Sequence, residues 1–422
     1  MNQQGSSMPA VPADSRPFLT IADGCNSFPS PKHWFRLGKY LLPLGVGHSS
    51  LRRSRSPREQ VSVAQLAADH AATVSLATLG RAEALDEYEY DCYAFGKRES
   101  RVLRRKFVAP PFVAEIRNGL SFGRHCCVIG PAGKAVRETG YHLDGEVIED
   151  EAPLSRLRMR YWRKRWEGDV TSRPWLPPKQ RIDGSVAVLN TQHSHNFYHW
   201  LCDILPRLAP LNWIGAQPDF YLVDCLTAFQ REVLASVGIA TNRLIQPHCR
   251  LLLEADRLLV PSLPTPACLR HVGTILSGQR RAIGRMGRRI YISRRNTGKR
   301  SFANEAEFEG LLESHGFEAH FLETYPLAKQ AQLVSESSII VAPHGAGLAN
   351  LIFAQPGAQI IEIVQEGRYN AHLYPEKSRI FGLHHQQVIA KISGRKQVLT
   401  FSLDDFTAAL VQAQRSSLRA AA

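Results

Sequence analysis

The 422-residue chain contains no apolar run long enough to span a bilayer, and Met1 to Thr20 carry Pro9, Pro12, Asp14 and Pro17 where a signal peptide needs an apolar core. There is no Asn-x-Ser/Thr sequon. The eight cysteines form no Cys-x-x-Cys pair and no Cys/His spacing of a zinc site, so they read as reduced, mostly buried thiols. These absences predict a cytoplasmic protein. No Gly-x-Gly-x-x-Gly stands between a strand and a helix with an acidic residue about 20 positions on, which removes the dinucleotide fingerprint. No Asp-x-Asp sits in a loop after a strand to hold a divalent metal, and Asp404-Asp405 reads as a helix cap. Carboxylates are missing altogether between Arg257 and Asn304. Arg270, Arg280, Arg281, Arg285, Arg288, Arg289, Arg294, Arg295, Lys299 and Arg300 make that interval the most basic part of the chain.

A net charge of +14 fits nucleic acid, an anionic membrane surface or an anionic small substrate, and composition does not choose among them. The 44% hydrophobic content is that of a globular protein, and the length predicts two domains plus tails. Residues 1–84 read as an N-terminal arm, partly disordered, with a basic cluster at Arg52-Arg53-Ser54-Arg55 that could rest on a membrane surface. Residues 85–275 read as an N-terminal α/β domain with a β-meander, in which Phe112 to Ile116, His125 to Ile129 and Lys134 to Val136 are strands. The run from Arg156 to Trp166 mixes arginines with Tyr161 and Trp162, as nucleic-acid surfaces do, but without a recognisable module it reads as a solvated helix face. Residues 276–395 alternate strand and helix at short spacing, the pattern of a Rossmann-like parallel sheet, and 396–422 form a C-terminal helix and tail.

Two stretches carry chemistry. In Ser337 to Phe353, the apolar Ile339 to Val341 reads as a buried strand that Pro343-His344-Gly345-Ala346-Gly347 must end, and Leu348, Leu351 and Ile352 resume at helical spacing. A tight strand-to-helix turn of small residues exposes backbone N–H groups that suit a diphosphate, with His344 as a titratable donor beside it. The competing reading is an ordinary strand-to-helix connection with a histidine next to it. In the second stretch, Ser194 is placed to cap a helix from His195 to Leu205, on which His195, His199 and Asp203 line one face at i, i+4, i+8. A carboxylate one turn from an imidazole can make it a general base; the same spacing also fits a buried structural pair. Arg289 to Ser293 reads as a strand that puts Arg294, Arg295 and Lys299 at a carboxyl edge, where guanidinium groups bind phosphate oxygens. Glu362, inside the apolar strand Ile360 to Val364, either accepts sugar hydroxyls or pairs with a basic neighbour.

The ordered series Asn196-Phe-Tyr-His199-Trp200-Leu-Cys-Asp203-Ile-Leu-Pro206-Arg207-Leu208, Ile292-Ser293-Arg294-Arg295, Asn304-Glu305, Pro343-His344-Gly345-Ala346-Gly347-Leu348-Ala349-Asn350-Leu-Ile-Phe353 and Ile361-Glu362-Ile363 resembles glycosyltransferase family 61 over roughly residues 100–390. The resemblance implies two Rossmann-like domains in a GT-B-like architecture, a nucleotide-sugar donor held mainly by the C-terminal one, and inverting transfer with no metal or other cofactor. It implies a UDP-sugar donor and a saccharide or glycoconjugate acceptor. Ala349 stands where many members have Thr, and the chain has none of the membrane anchor of eukaryotic members, which points to a bacterial-type enzyme of surface polysaccharide assembly. On this reading His199 or Asp203 is the base. Arg294, Arg295, Lys299 and the turn His344, Gly345, Ala346, Gly347 and Leu348 hold the nucleotide, and His195, Asn196, Asn350 and Glu362 complete the substrate-binding set. A nucleic-acid-binding protein and a Rossmann oxidoreductase are the alternatives from other classes.

Overall fold

The apolar runs that read as strands do form strands, and they assemble into two sheets. The computed structural model describes residues 57, 59–139, 170, 175–191, 193–277, 287–295, 302–393 and 398–421, all within one compact unit, Gly47–Ala422. The basic run 156–166 lies outside the described residues. In the first sheet, Leu252–Pro261, Gln180–Val188, Phe220–Leu222 and Leu244–Ile245 run parallel in that spatial order, and Phe112–Phe122 pairs antiparallel with Leu252–Pro261. The expected meander follows on that side as Phe112–Phe122, Cys127–Ile129 and Ala135–Val136. Within the span expected as an arm, Gln60–Val61 and Val74–Thr78 also join this sheet.

In the second sheet Glu318–His320, Arg288–Ile292, Ser337–Pro343, Gln359–Gln365 and His384–Ser393 are all parallel. The hairpin Tyr88–Ala94 and Lys97–Leu103, from the N-terminal half of the chain, extends that sheet by pairing with His384–Ser393. Both faces of the central strand are covered. Ile339 and Val341 enter an aromatic-rich cluster with Phe308, Phe401 and Phe406. Ile340 and Ala342, on the other face, enter a cluster with Leu333, Val334 and Leu351, as the two-residue strand period requires.

That second cluster also contains Ala187, Leu189, Trp200 and Leu201 from the first sheet and its following segment, and Leu269 and Val272 from the helix Pro266–Ser277, so the two sheets share an apolar core. Strand order then locates the ligand edges. From Gln180–Val188 the chain passes to Phe220–Leu222 on one side and returns at Leu252–Pro261 on the other; from Arg288–Ile292 it passes to Glu318–His320 and returns at Ser337–Pro343. Loops that leave adjacent strand ends in opposite directions open a crevice at the carboxyl edge. The two informative stretches leave Gln180–Val188 and Ser337–Pro343, each at such a point.

Three local expectations change. Ser194 does not cap a helix starting at 195: its hydroxyl donates to Asp224 Oδ2 at 2.9 Å, and the cap is Asn196, whose side chain accepts from Tyr198 N–H at 2.9 Å. The helix Phe197–His199 then widens into a π-turn, Trp200–Ile204, and tightens at Leu205–Arg207, where Pro206 has no N–H to donate. The segment after the glycine turn is a 3-10 helix, Ala346–Phe353, in place of an α-helix. Ser402, not the acidic pair, caps the helix Leu403–Ala421; its hydroxyl accepts from Asp405 N–H, while Asp405 accepts from Gly96 N–H at 2.9 Å.

Candidate active site

A buried arginine sets the first edge. Arg207 is 1% exposed and donates to the carbonyls of Leu189 and Asn190, just past one strand, and to that of Pro261, at the end of its neighbour. Burial lowers its guanidinium to about 10. These bonds pin two strand ends across the crevice, so the residues between them are held on a fixed frame. The indole of Trp200 donates to the carbonyl of Asp224 at 3.0 Å, and Asp224 N–H donates to Asn190 at 3.0 Å, tying the next strand end to the same frame.

On that frame His199 Nδ1 lies 2.6 Å from Asp203 Oδ2. The π-turn leaves the four-residue separation in place, and the two side chains meet as expected. Asp203 is buried; His199 is more open, at 25% side-chain exposure against 11% for Asp203. A carboxylate on Nδ1 selects the tautomer with its proton there and directs the Nε2 lone pair away from Asp203, the disposition of a general base. His193, with a left-handed φ of 59°, stacks on His199 with centroids 4.9 Å apart. His195 falls outside the helix, exposed in the preceding turn, 6.3 Å from the His193 ring, so it does not continue the face formed by His199 and Asp203. Asn196 is occupied as the helix cap.

The second edge is built around Gly345. A Cβ there would collide with the guanidinium of Arg294, so the absence of a side chain is what lets Arg294 lie across the turn. The close neighbour expected to be a ligand is therefore, in the first instance, a guanidinium of this chain. Gly347 serves a similar purpose, since a Cβ would come within 3.1 Å of Ile292. Ala346 is half-buried and Leu348 is buried in the core. Asn350 is 1% exposed and donates to Gln330 Oε1 at 3.0 Å and to the Gly347 carbonyl at 3.1 Å, bracing the turn from beneath. Arg295 points elsewhere: it is exposed and pairs with Glu305 and Glu309 on the helix Glu305–Ser314. Lys299 lies outside the described residues.

Under the turn sits a buried charge network. Glu362 is wholly buried; one oxygen lies 2.5 Å from His344 Nδ1, and the other receives Gln387 at 2.8 Å and faces His385 Nε2 at 3.1 Å. Ser378 in turn contacts His385 Nδ1 at 2.9 Å. Burial alone would raise the Glu362 carboxyl, but the hydrogen bonds and charges of His344 and His385 outweigh it and hold it down to about 2. Of the two roles open to Glu362, the one realised is pairing with basic neighbours. This fixes the orientation of His344, which is 3% exposed.

The two edges meet through aromatic rings that sequence reasoning did not single out. Tyr374 donates to the Gly345 carbonyl, packs on His344 with centroids 5.0 Å apart, and meets Tyr198 edge-on at 6.0 Å. Tyr198 in turn packs edge-on against its neighbour His199 at 5.2 Å. A continuous path His199, Tyr198, Tyr374, His344 thus joins the imidazole–carboxylate pair to the glycine turn. Tyr198 falls within the Asn196 to Leu208 series but has no assigned role there, and Tyr374 sits in no pattern that distinguishes it from an ordinary core aromatic. Among the described residues no three His, Cys, Asp or Glu side chains are grouped to hold a metal ion, and no helix is long and apolar enough to cross a membrane.

The comparison with curated proteins gives no match. Residues 197–361, which begin at the His199 helix and end beside Glu362, match the family model described as Glycosyltransferase 61, so this segment of the chain is similar to that glycosyltransferase family.

Proposed function

We propose that the protein is an inverting, metal-independent glycosyltransferase that moves a sugar from a UDP-sugar to a saccharide or glycoconjugate acceptor in surface polysaccharide assembly. The observation that carries this reading is the junction of the two edges: an imidazole oriented by a carboxylate lies on one, an arginine and a buried histidine at a glycine turn lie on the other, and two packed tyrosines connect them. Inverting transfer needs a base for the acceptor hydroxyl and positive charge for the departing diphosphate, on opposite sides of the anomeric carbon. His199 is assigned as the base and Asp203 as the residue that orients it. The acceptor O–H proton passes to His199 Nε2 as the oxygen attacks and the bond to the diphosphate breaks. Arg294 and His344 receive the developing charge, the part that a divalent cation plays in other sites. The work is cytoplasmic, with the basic surface resting on an anionic membrane face where the acceptor is assembled.

A thermal-shift panel of nucleoside diphosphates, NAD and duplex DNA tests the reading. UDP at about 100 times its dissociation constant adds roughly 2.7 kcal/mol of stability. A rise in melting temperature with NAD or DNA and none with any nucleoside diphosphate would overturn it.

A further inference from the structure

We propose that Arg368 is a second phosphate-binding residue of the same site, acting beside Arg294 on the donor's diphosphate. The inference rests on the reading of the glycine turn as a donor site and extends it to a residue beyond the 197–361 segment that the family model matches. Arg368 lies in the turn that leaves Gln359–Gln365; its N–H donates to the Gln365 carbonyl at 3.2 Å, and its own carbonyl accepts from Ala371 N–H at 3.2 Å. Gln359–Gln365 is in register with Ser337–Pro343, with Ile363 beside Pro343, and the Ile363 carbonyl accepts from His344 N–H at 2.8 Å. The turn carrying Arg368 therefore stands at the same carboxyl edge as His344 and Gly345. The helix that follows it, Leu373–Phe381, is tied back to that edge by the bond from Tyr374 to the Gly345 carbonyl.

Arg294 follows Arg288–Ile292 and Arg368 follows Gln359–Gln365, the two strands on either side of Ser337–Pro343, so the arginines flank the turn that leaves it. Burial lowers both guanidinium groups, and the positive charge of Arg368 lowers Arg294 further. No carboxylate among the described residues forms an ion pair with Arg368, and its Nε is buried without a hydrogen-bond partner. The carboxylate beneath, Glu362, already serves His344, His385 and Gln387. Arg295 is the contrast: it is adjacent in sequence to Arg294 but neutralised by Glu305 and Glu309. Two partly desolvated guanidinium groups that repel each other are stabilised by an anion placed between them, and a diphosphate offers oxygens to both.

Isothermal titration of the full chain with UDP, and saturation-transfer NMR with uridine, test this on wild type, Arg368→Ala, Arg368→Gln and Arg294→Ala. Both Arg368 variants are expected to bind UDP about 10- to 100-fold more weakly, with uridine affinity and melting temperature close to wild type, because only a charge-assisted phosphate contact is lost. Unchanged UDP affinity in both Arg368 variants, with a loss in Arg294→Ala, would overturn the assignment of Arg368 and leave the donor site standing. Equal losses for UDP and uridine would also overturn it, since the residue would then act on the nucleoside or on the fold. Wild type that binds no nucleoside diphosphate would remove the donor site and the assignment of Arg368 together.

Discussion

His199 and Asp203 are 2.6 Å apart, close enough that removing either changes the other, and the question is whether what is lost is proton transfer or packing. His199→Ala and Asp203→Asn are each expected to cut turnover by about 10²- to 10⁴-fold with donor affinity nearly intact, and non-additively in the double variant. Turnover, donor affinity and melting temperature measured on the same variants decide it. Folded variants with near wild-type turnover would redirect the search for a base to His193 or His195. Glu362 gives the opposite kind of prediction, because it is wholly buried and acts through His344. Its carboxyl is held from its ordinary 4.5 down to about 2, so the folded state binds the proton more weakly than the unfolded one. The resulting stabilisation is complete above about pH 4.5, on the order of 3 kcal/mol, and is lost as pH falls toward 2. Urea denaturation of wild type and Glu362→Gln between pH 6 and pH 2.5 should therefore give stability differences that shrink with acid. A constant difference across that range would mean that Glu362 does not titrate as a paired buried carboxylate.

Element by element, the strands were readable because β-branched runs such as Ile339 to Val341 and Ile360 to Val364 carry the signal in consecutive residues, and each lies within the strand observed. The juxtaposition of His199 with Asp203, and of Arg294 with the 344–348 turn, was readable for the same reason: spacing within one element, or position at a strand's end, fixes it. Other features were hidden because they depend on partners distant in sequence. Nothing within Tyr88–Ala94 says that it pairs with His384–Ser393, and nothing around Arg207 says that it will bridge the ends of two strands. The π-turn at Trp200–Ile204 is likewise invisible to a 3.6-residue period, since Leu201 and Ile204 are buried in either winding. A further packing detail follows from Gly273 in the helix Pro266–Ser277. A Cβ at this position would lie 2.7 Å from the Ile352 carbonyl, a backbone atom that cannot rotate away. Gly273→Ala is expected to cost about 1–3 kcal/mol and, because Ala346–Phe353 must shift, to weaken nucleotide binding as well. Chemical denaturation and UDP titration of that variant check both effects; wild-type values for the two would show that the helices separate without disturbing the turn.

On the scale of the whole molecule, the net charge of +14 and the charges at the turn answer different questions. The first raises the local concentration of an anionic donor and is screened within about 8–10 Å at physiological salt. The second, half-buried at Arg294 and Arg368 beside the buried Glu362–His344 pair, acts where solvent screening is weak. A divalent cation in a glycosyl-transfer site neutralises the leaving diphosphate, and here arginine and histidine side chains are assigned that task, so chelation should leave turnover unchanged. The same view predicts that added salt weakens donor binding by slowing association, while turnover at saturating donor changes little. Turnover measured at saturating UDP-sugar in EDTA, and donor affinity measured across a salt series, separate the two contributions. Activity lost in EDTA and restored by Mn²⁺ or Mg²⁺ would mean that a metal ion carries the leaving group's charge, and would leave Arg294 and His344 with the donor's position rather than its departure.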